Sequence, residues 1–230
     1  MAGLGDNQSA GKACAPLFHF QGARLGHGRE TVFAALNLTL RRGETVALLG
    51  PSGSGKSTLL AALRRQRETL CAWCPQEQAL VPMLSVFHNI YMGALHRFGT
   101  CRNLRALVRP GPAQRDSVAA VAESLGLVDK LFTSVDRLSG GQAQRTALGR
   151  ALFTRRPVLL ADEPVSNLVQ HQGMPLRGDT LLCHDTAVLA MHRCALALAC
   201  FVRVIGLRHG ALVLDAPSSS SSLADPARRH

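Results

Sequence analysis

Residues 50–57 read Gly-Pro-Ser-Gly-Ser-Gly-Lys-Ser, a glycine-rich run between two segments of different pattern. Residues 45–49 (TVALL) before it are continuously apolar, as in a strand buried on both faces, and residues 57–66 (STLLAALRRQ) after it have helical spacing. The run matches GxxxxGK[ST] and stands between strand and helix, where that motif acts. The pattern therefore predicts a P-loop, although a plain glycine-rich turn is the alternative.

A P-loop curls its backbone N–H groups around phosphate oxygens, and the helix that follows adds the positive end of its dipole. In this arrangement Lys56 reaches the β- and γ-phosphates and Ser57 binds Mg²⁺. Only three of the 26 basic residues are lysines, which makes the presence of Lys56 here more informative. The predicted phosphate-binding residues are Gly50, Pro51, Ser52, Gly53, Ser54, Gly55, Lys56, Ser57 and Thr58.

A second chemical signal is a pair of adjacent carboxylates, Asp162 and Glu163, directly after the apolar run 158–161 (VLLA). A P-loop site requires an acidic residue at the end of another buried strand to hold Mg²⁺ through its water shell. We assign this role to Asp162, and we expect Glu163 to polarise the attacking water. Apolar residues before Asp-Glu are common, so the pair gains its meaning from the P-loop.

Between loose ends at 1–15 and 216–230, the chain alternates strand and helix patterns. Strands are predicted at 32–40, 45–49, 158–161, 187–191, 202–207 and 211–214, and helices at 57–66, 117–125 and 141–152. The apolar content of 47% allows a large core. This order predicts one α/β domain over 16–215 with a mostly parallel sheet flanked by helices.

Ser139-Gly140-Gly141-Gln142, followed by a helical pattern, could be a second anion site or only a capped helix start. Together with the P-loop before it and Asp162-Glu163 after it, the motif resembles the signature motif of ATP-binding cassette (ABC) ATPases. The resemblance covers about residues 25–215. It implies a P-loop NTPase fold with a reduced antiparallel β subdomain and a helical signature-motif subdomain at about 77–140.

The resemblance also implies roles for residues that the pattern alone leaves open. Gln76 resembles the Q-loop glutamine that touches Mg²⁺ and the transport partner, and His192 resembles the switch histidine at the γ-phosphate. His27 occupies the place of the aromatic residue that stacks on adenine. The implied catalytic residues are Glu163, His192, Lys56 and Gln76, the implied Mg²⁺ residues are Ser57, Gln76 and Asp162, and Ser139, Gly140, Gly141 and Gln142 bind ATP from a second copy.

In this family two cassettes dimerise head to tail around ATP and drive a membrane permease. The segment 75–95 (PQEQALVPMLSVFHNIYMGAL) and the stretch after it resemble the ATPases of bacterial phosphonate importers. The resemblance thus implies an ATP- and Mg²⁺-dependent ATPase on the cytoplasmic face of the bacterial inner membrane. Its partners would be permease subunits and, indirectly, a periplasmic binding protein. Import of another small solute is the alternative.

Two departures from the family pattern favour a further alternative, an impaired or regulatory cassette. Only 19 residues separate Lys56 from Gln76, so the first helix should run almost directly into the next strand. Val169 stands where the D-loop of the family has Asp, and residues 170–179 carry Gly and Pro where a helix is expected. Because Lys56 and both carboxylates remain, we expect an active ATPase.

The net charge of +11 favours a polyanionic partner: a nucleotide, a nucleic acid or an anionic membrane. Dispersed arginines and an aromatic content of 4% argue against nucleic acid, so we expect no nucleic-acid partner. The sequence contains no uninterrupted apolar stretch of about 20 residues, so it predicts no membrane-spanning helix. Cys71 and Cys74 form a lone CxxC, for which we expect two buried thiols in preference to a metal site.

Overall fold

A six-stranded sheet forms the centre of the protein. The computed structural model describes residues 15–27, 30–163, 184–191 and 201–218. The strands of this sheet are β3 (Thr45–Leu49), β4 (Cys71–Cys74), β5 (Val158–Asp162), β6 (Thr186–Met191), β7 (Arg203–Arg208) and β8 (Ala211–Pro217). Their order across the sheet is β4-β5-β6-β3-β7-β8, and all neighbours are parallel except β7 and β8.

The continuous apolar runs form the middle of this sheet because helices or a second sheet cover both of its faces. β5 and β6 are buried along their whole length, and β3 is buried after its first residue. One face of the sheet packs against α1 (Lys56–Gln66) and the small sheet, and the other packs against α2 (Val86–Tyr91) and α5 (Gly140–Phe153). The predicted fold class is confirmed.

The antiparallel part is a single hairpin of β1 (Pro16–His27) and β2 (Glu30–Arg41). Its apolar side, with Phe18, Phe33 and Leu40, packs in the same core as α1. After α1 ends at Gln66, one 3-10 turn (Glu68–Leu70) leads directly into β4. The short connection between Lys56 and Gln76 therefore has the form that the sequence predicts.

A helical layer fills the chain between β4 and β5. It contains α2, a 3-10 turn (Met92–Arg97), α3 (Thr100–Val108), α4 (Pro112–Ser124), two further 3-10 turns (Val128–Lys130 and Val135–Arg137) and α5. The helix predicted at 117–125 begins earlier, at Pro112. Gly111 precedes it as N-cap, and the Gln114 side chain accepts a hydrogen bond from the Gly111 N–H (2.7 Å), so the first turn is stabilised before the amphipathic pattern starts.

Cys71 and Cys74 are buried at the two ends of β4, as expected for small apolar side chains. Burial raises the pKa of the Cys71 thiol to about 11 and that of Cys74 to about 12, which keeps both protonated and unreactive. Among the described residues, no helix combines the length and the apolar character that crossing a membrane requires.

Candidate functional site

The P-loop joins the end of β3 to the start of α1 and places Lys56 at the first helical position. Lys56 is only 6% exposed, and its Nζ donates hydrogen bonds to the carbonyls of Gly50 (2.8 Å) and Pro51 (3.0 Å). Burial lowers the pKa of Lys56, while the nearby carboxylates of Glu163 and Asp162 act in the opposite direction. The loop thus wraps around a partly desolvated cation with two acidic groups close to it.

The loop is fixed by neighbours on two sides. Gly55 has a φ of 104°, and a Cβ added there would lie 2.7 Å from the Phe33 ring of β2. The Ser54 carbonyl accepts a hydrogen bond from the N–H of Gly210, in the turn between β7 and β8 (3.3 Å). The hairpin and the edge of the central sheet therefore set the path of the loop.

Asp162 ends β5, and Glu163 follows it. Asp162 is 4% exposed, and its Oδ1 atom has no hydrogen-bond partner among the described residues. The backbone of Glu163 has a φ of 51°, held by a hydrogen bond from its N–H to the Ala190 carbonyl (3.2 Å) and one from the Gln144 side chain to its own carbonyl. This uncommon conformation for a residue with a side chain is fixed from both sides.

The second glycine motif forms the start of α5. Ser139 is the N-cap: its Oγ accepts a hydrogen bond from the Gln142 N–H (3.4 Å), and the Gln142 side chain accepts one from the Ser139 N–H (3.0 Å). The capped helix start, one of the two interpretations of this motif, is therefore present. A Cβ added at Gly140 or Gly141 would meet no atom of the described residues within 4 Å, so packing against this part of the chain does not require glycine there.

Three polar residues that the sequence analysis did not identify connect these motifs through α5. Besides the bond from Gln144 to Glu163, the Arg150 guanidinium donates to the carbonyls of Gln78 and Ala79 (2.9 Å each). The Gln78 amide reaches the Gly140 carbonyl at 3.5 Å. Their acceptors are backbone carbonyls of distant segments, which leave no mark in residue type, so no sequence signal could have revealed them.

The segment resembling phosphonate importers forms a compact unit next to this helix. Asn89 is fully buried, and its side chain exchanges hydrogen bonds with Val81 in both directions (2.9 and 3.1 Å) and donates to the carbonyls of Leu84 and Ser85. A Cβ at Gly93 would overlap the carbonyl of Arg150. Asn89 therefore holds the turn after Gln76, and Gly93 allows that unit to approach α5.

The remaining predicted site residues are placed less fully. Gln76 is exposed just beyond β4, and Ser57 is exposed while Thr58 is buried in the first turn of α1. The backbone of His27 ends β1 opposite Glu30, but its side chain is not described. His192, Val169 and the glycine- and proline-containing stretch 170–179 lie outside the described residues.

Comparisons with known proteins agree with this geometry. The family profile described as ABC transporter matches residues 33–71 and 64–166. The chain is 37% identical to the phosphonates import ATP-binding protein PhnC of Pseudomonas putida, over 88% of this chain and 85% of that protein. It is 35% identical to the protein of that name from Anaeromyxobacter dehalogenans, over 96% of this chain but only 49% of the relative.

Among solved structures, the dimeric post-hydrolysis state of the ATP-binding cassette MJ0796, bound to ADP and Pi, superposes with a TM-score of 0.72 at 23% identity. The match covers 87% of this chain and 98% of that chain. This likeness shows a shared fold. With the profile match and the relatives above 30% identity, it follows that the chain belongs to the ABC transporter family.

Proposed function

We propose that this protein binds and hydrolyses ATP at the loop around Lys56, as the ATP-binding subunit of an importer. The observation that carries the proposal is the position of Lys56: buried, surrounded by loop carbonyls, at the N-terminus of α1 and next to two carboxylates. A buried ammonium group at a helix N-terminus attracts the β- and γ-phosphates of a nucleotide. In this proposal residues 50–58 bind the phosphates.

The residues at the end of β5 fit a Mg²⁺ ion. The Oδ1 atom of Asp162 is buried without a hydrogen-bond partner among the described residues, so it has capacity to bind a cation or the water around it. We assign the ion to Ser57, Gln76 and Asp162. When bound, Mg²⁺ neutralises charge on the phosphate oxygens.

Glu163 accepts a proton from the attacking water, because a carboxylate next to the metal-side aspartate is placed to act as a base. Its backbone is held on both sides, by Ala190 and Gln144, which supports a fixed position for this residue. In the family, His192 contacts the γ-phosphate and His27 stacks on adenine; both assignments stay predictions.

A second copy of the chain completes the proposed site. Gly140 and Gly141 stand at the N-terminus of α5, and no atom of the described residues would lie within 4 Å of a Cβ at either position, so a triphosphate can approach the helix N–H groups closely. In this proposal two copies dimerise head to tail, so that Ser139, Gly140, Gly141 and Gln142 of one copy contact the nucleotide that the other copy holds at Lys56. The MJ0796 cassette, which shares the fold, is described as dimeric.

The cargo we propose is a phosphonate or a related organophosphorus compound. The support is kinship: relatives between 33% and 37% identical are named phosphonates import ATP-binding proteins. The permease and a periplasmic binding protein would contact the substrate. The cassette would lie on the cytoplasmic face of the inner membrane. It would comprise residues 16–215, with its helical subdomain at about 77–140.

Phosphate release measured with and without Mg²⁺ tests the catalytic part. The purified protein should hydrolyse ATP only with Mg²⁺. Glu163→Gln should lower the turnover at least 100-fold while it retains ATP affinity and forms an ATP-dependent dimer. Lys56→Ala should weaken nucleotide affinity by about 100-fold, since it removes a charge-assisted phosphate contact.

Turnover of the wild type no faster than that of Glu163→Gln would refute the catalytic assignment. The import part is tested separately, by expressing the chain in a Pseudomonas putida strain that lacks its own phosphonate import ATP-binding protein. Growth on methylphosphonate as the phosphorus source should return with the wild type and not with Lys56→Ala. An active ATPase that never restores growth would favour another solute.

A further inference from the structure

Helix α3 turns its apolar side away from the protein. Leu104, Leu107 and Val108, at the i, i+3 and i+4 spacing of one helix face, are exposed, with Leu104 at 63% and Val108 at 82%. The opposite side is held in the fold, because Ala106 is buried and the Asn103 amide donates to the carbonyls of Leu95 and Phe98 (3.0 Å each). The outward apolar face is therefore a fixed feature of the structure.

Arginines lie on helix α3 and directly after it, and the Arg102 guanidinium lies over the Phe98 ring (4.3 Å). From residue 78 to residue 115 the sequence contains no Asp or Glu but five arginines: Arg97, Arg102, Arg105, Arg109 and Arg115. Within the described residues, no carboxylate is recorded within 4 Å of Arg102, Arg105 or Arg109. We call Leu104, Leu107 and Val108, together with these three arginines, the α3 surface.

We propose that the α3 surface binds directly to an anionic lipid bilayer. A helix with arginines beside a narrow apolar face lies in the plane of the membrane interface, with apolar side chains at the acyl boundary and guanidinium groups at lipid phosphates. The charge selects anionic lipid. The aliphatic side chains favour a bilayer over a nucleic acid, which would leave them in water.

Such contact would be weak and reversible, because α3 inserts only three apolar side chains. Stable membrane anchoring requires more, such as two lipid chains or one lipid chain together with a polybasic patch. It would orient the cassette at the membrane before or beside any protein partner. The inference does not depend on ATP hydrolysis, and its test is independent of the nucleotide assays.

Co-sedimentation with large vesicles tests the proposal on the full chain. The protein should bind vesicles of 30% phosphatidylglycerol in phosphatidylcholine at 50 mM salt, and should bind pure phosphatidylcholine weakly. Arg102→Gln with Arg105→Gln should lower the partition coefficient about tenfold, as should Leu104→Ser with Val108→Ser. Salt at 300 mM should weaken binding of the wild type.

Matched control variants distinguish binding by the α3 surface from an effect of net charge or of non-specific hydrophobic adsorption. Arg42→Gln with Arg65→Gln removes two exposed arginines elsewhere, and Val213→Ser removes an apolar side chain exposed to a similar degree (57%); both should bind like the wild type. Val108→Trp combined with Trp73→Phe should show a blue shift of fluorescence with anionic vesicles only.

Three results would overturn the proposal: equal losses in the control variants, no fluorescence shift at position 108, or vesicle binding by all α3 variants at the wild-type level. If the α3 variants bind lipid normally but fail to associate with permease subunits, the surface is a protein interface instead. Thermal melts and unchanged basal ATP turnover of each variant show that folding is not the cause.

Discussion

Gly55 shows how one residue links the P-loop to the hairpin beside it. Its φ of 104° is unfavourable for any residue with a Cβ, and the added atom would lie 2.7 Å from the Phe33 ring. We expect Gly55→Ala to lower the free energy of unfolding by about 3 kcal/mol, from backbone strain and overpacking together. Urea denaturation measures it.

Gly53 provides the matched control for this prediction. It also has a positive φ, 75°, but a Cβ there would meet no atom within 4 Å in the described part of the chain. Gly53→Ala should therefore cost only the strain, about 1 kcal/mol. Equal costs for the two variants would show that the contact with Phe33 does not constrain the loop.

At the scale of elements, side chains of α5 connect the predicted motifs. A substitution in the first turn of α5 can test its role in ATP turnover apart from its role in stability. Ala is a better helix former than Gly by about 1 kcal/mol, and none of the described residues would crowd a Cβ at Gly140. Gly140→Ala should thus leave the free energy of unfolding unchanged or raise it slightly. ATP turnover should fall at least tenfold if a second copy presents its triphosphate there.

The free energy of unfolding and the ATP turnover of Gly140→Ala must both be measured. Unchanged turnover with intact stability would contradict the proposed dimeric site, and a loss of stability would show that Gly140 has a packing role. Gly99→Ala, at the exposed N-cap position of α3, should leave turnover unchanged.

The packing of the 3-10 turn Met92–Arg97 on α5 gives a further prediction. Because a Cβ at Gly93 would overlap the Arg150 carbonyl, backbone must move, and Gly93→Ala should destabilise the protein by about 3 kcal/mol. Gly99→Ala, which places its Cβ more than 4 Å from every other described residue apart from its chain neighbours, should cost less than about 1 kcal/mol. Parallel urea titrations compare them, and similar midpoints would exclude close packing at Gly93.

At the scale of the whole molecule, the sequence predicted those features that depend on a few consecutive residues. A few consecutive residues are enough to recognise the P-loop and the Asp162-Glu163 pair. The same holds for the buried strands β3, β5 and β6, because fully buried parallel strands are continuously apolar. The helix α3 was not predicted, although Leu104, Leu107 and Val108 have helical spacing in the sequence. The contacts of Gln144 and Arg150 could not be predicted, because both side chains donate to backbone carbonyls of distant segments.

His184, near the start of β6, should make the stability of the protein depend on pH. It is 2% exposed, and neither ring nitrogen has a hydrogen-bond partner among the described residues. Burial lowers the pKa of His184 to about 4, against a small opposing effect of Asp185. The unfolded chain protonates this histidine near its ordinary pKa, about 6.5, so between the two values it binds more protons than the folded chain.

The protein should therefore lose stability as the pH falls through this window. From pH 7.5 to pH 5.5 the contribution of His184 amounts to about 1 kcal/mol. His184→Leu cannot titrate, so urea unfolding of this variant should be less pH-dependent than that of the wild type by that amount. His96→Leu replaces an exposed histidine and should keep the wild-type dependence. If both variants follow the wild-type curve, protonation of the buried ring does not control acid stability.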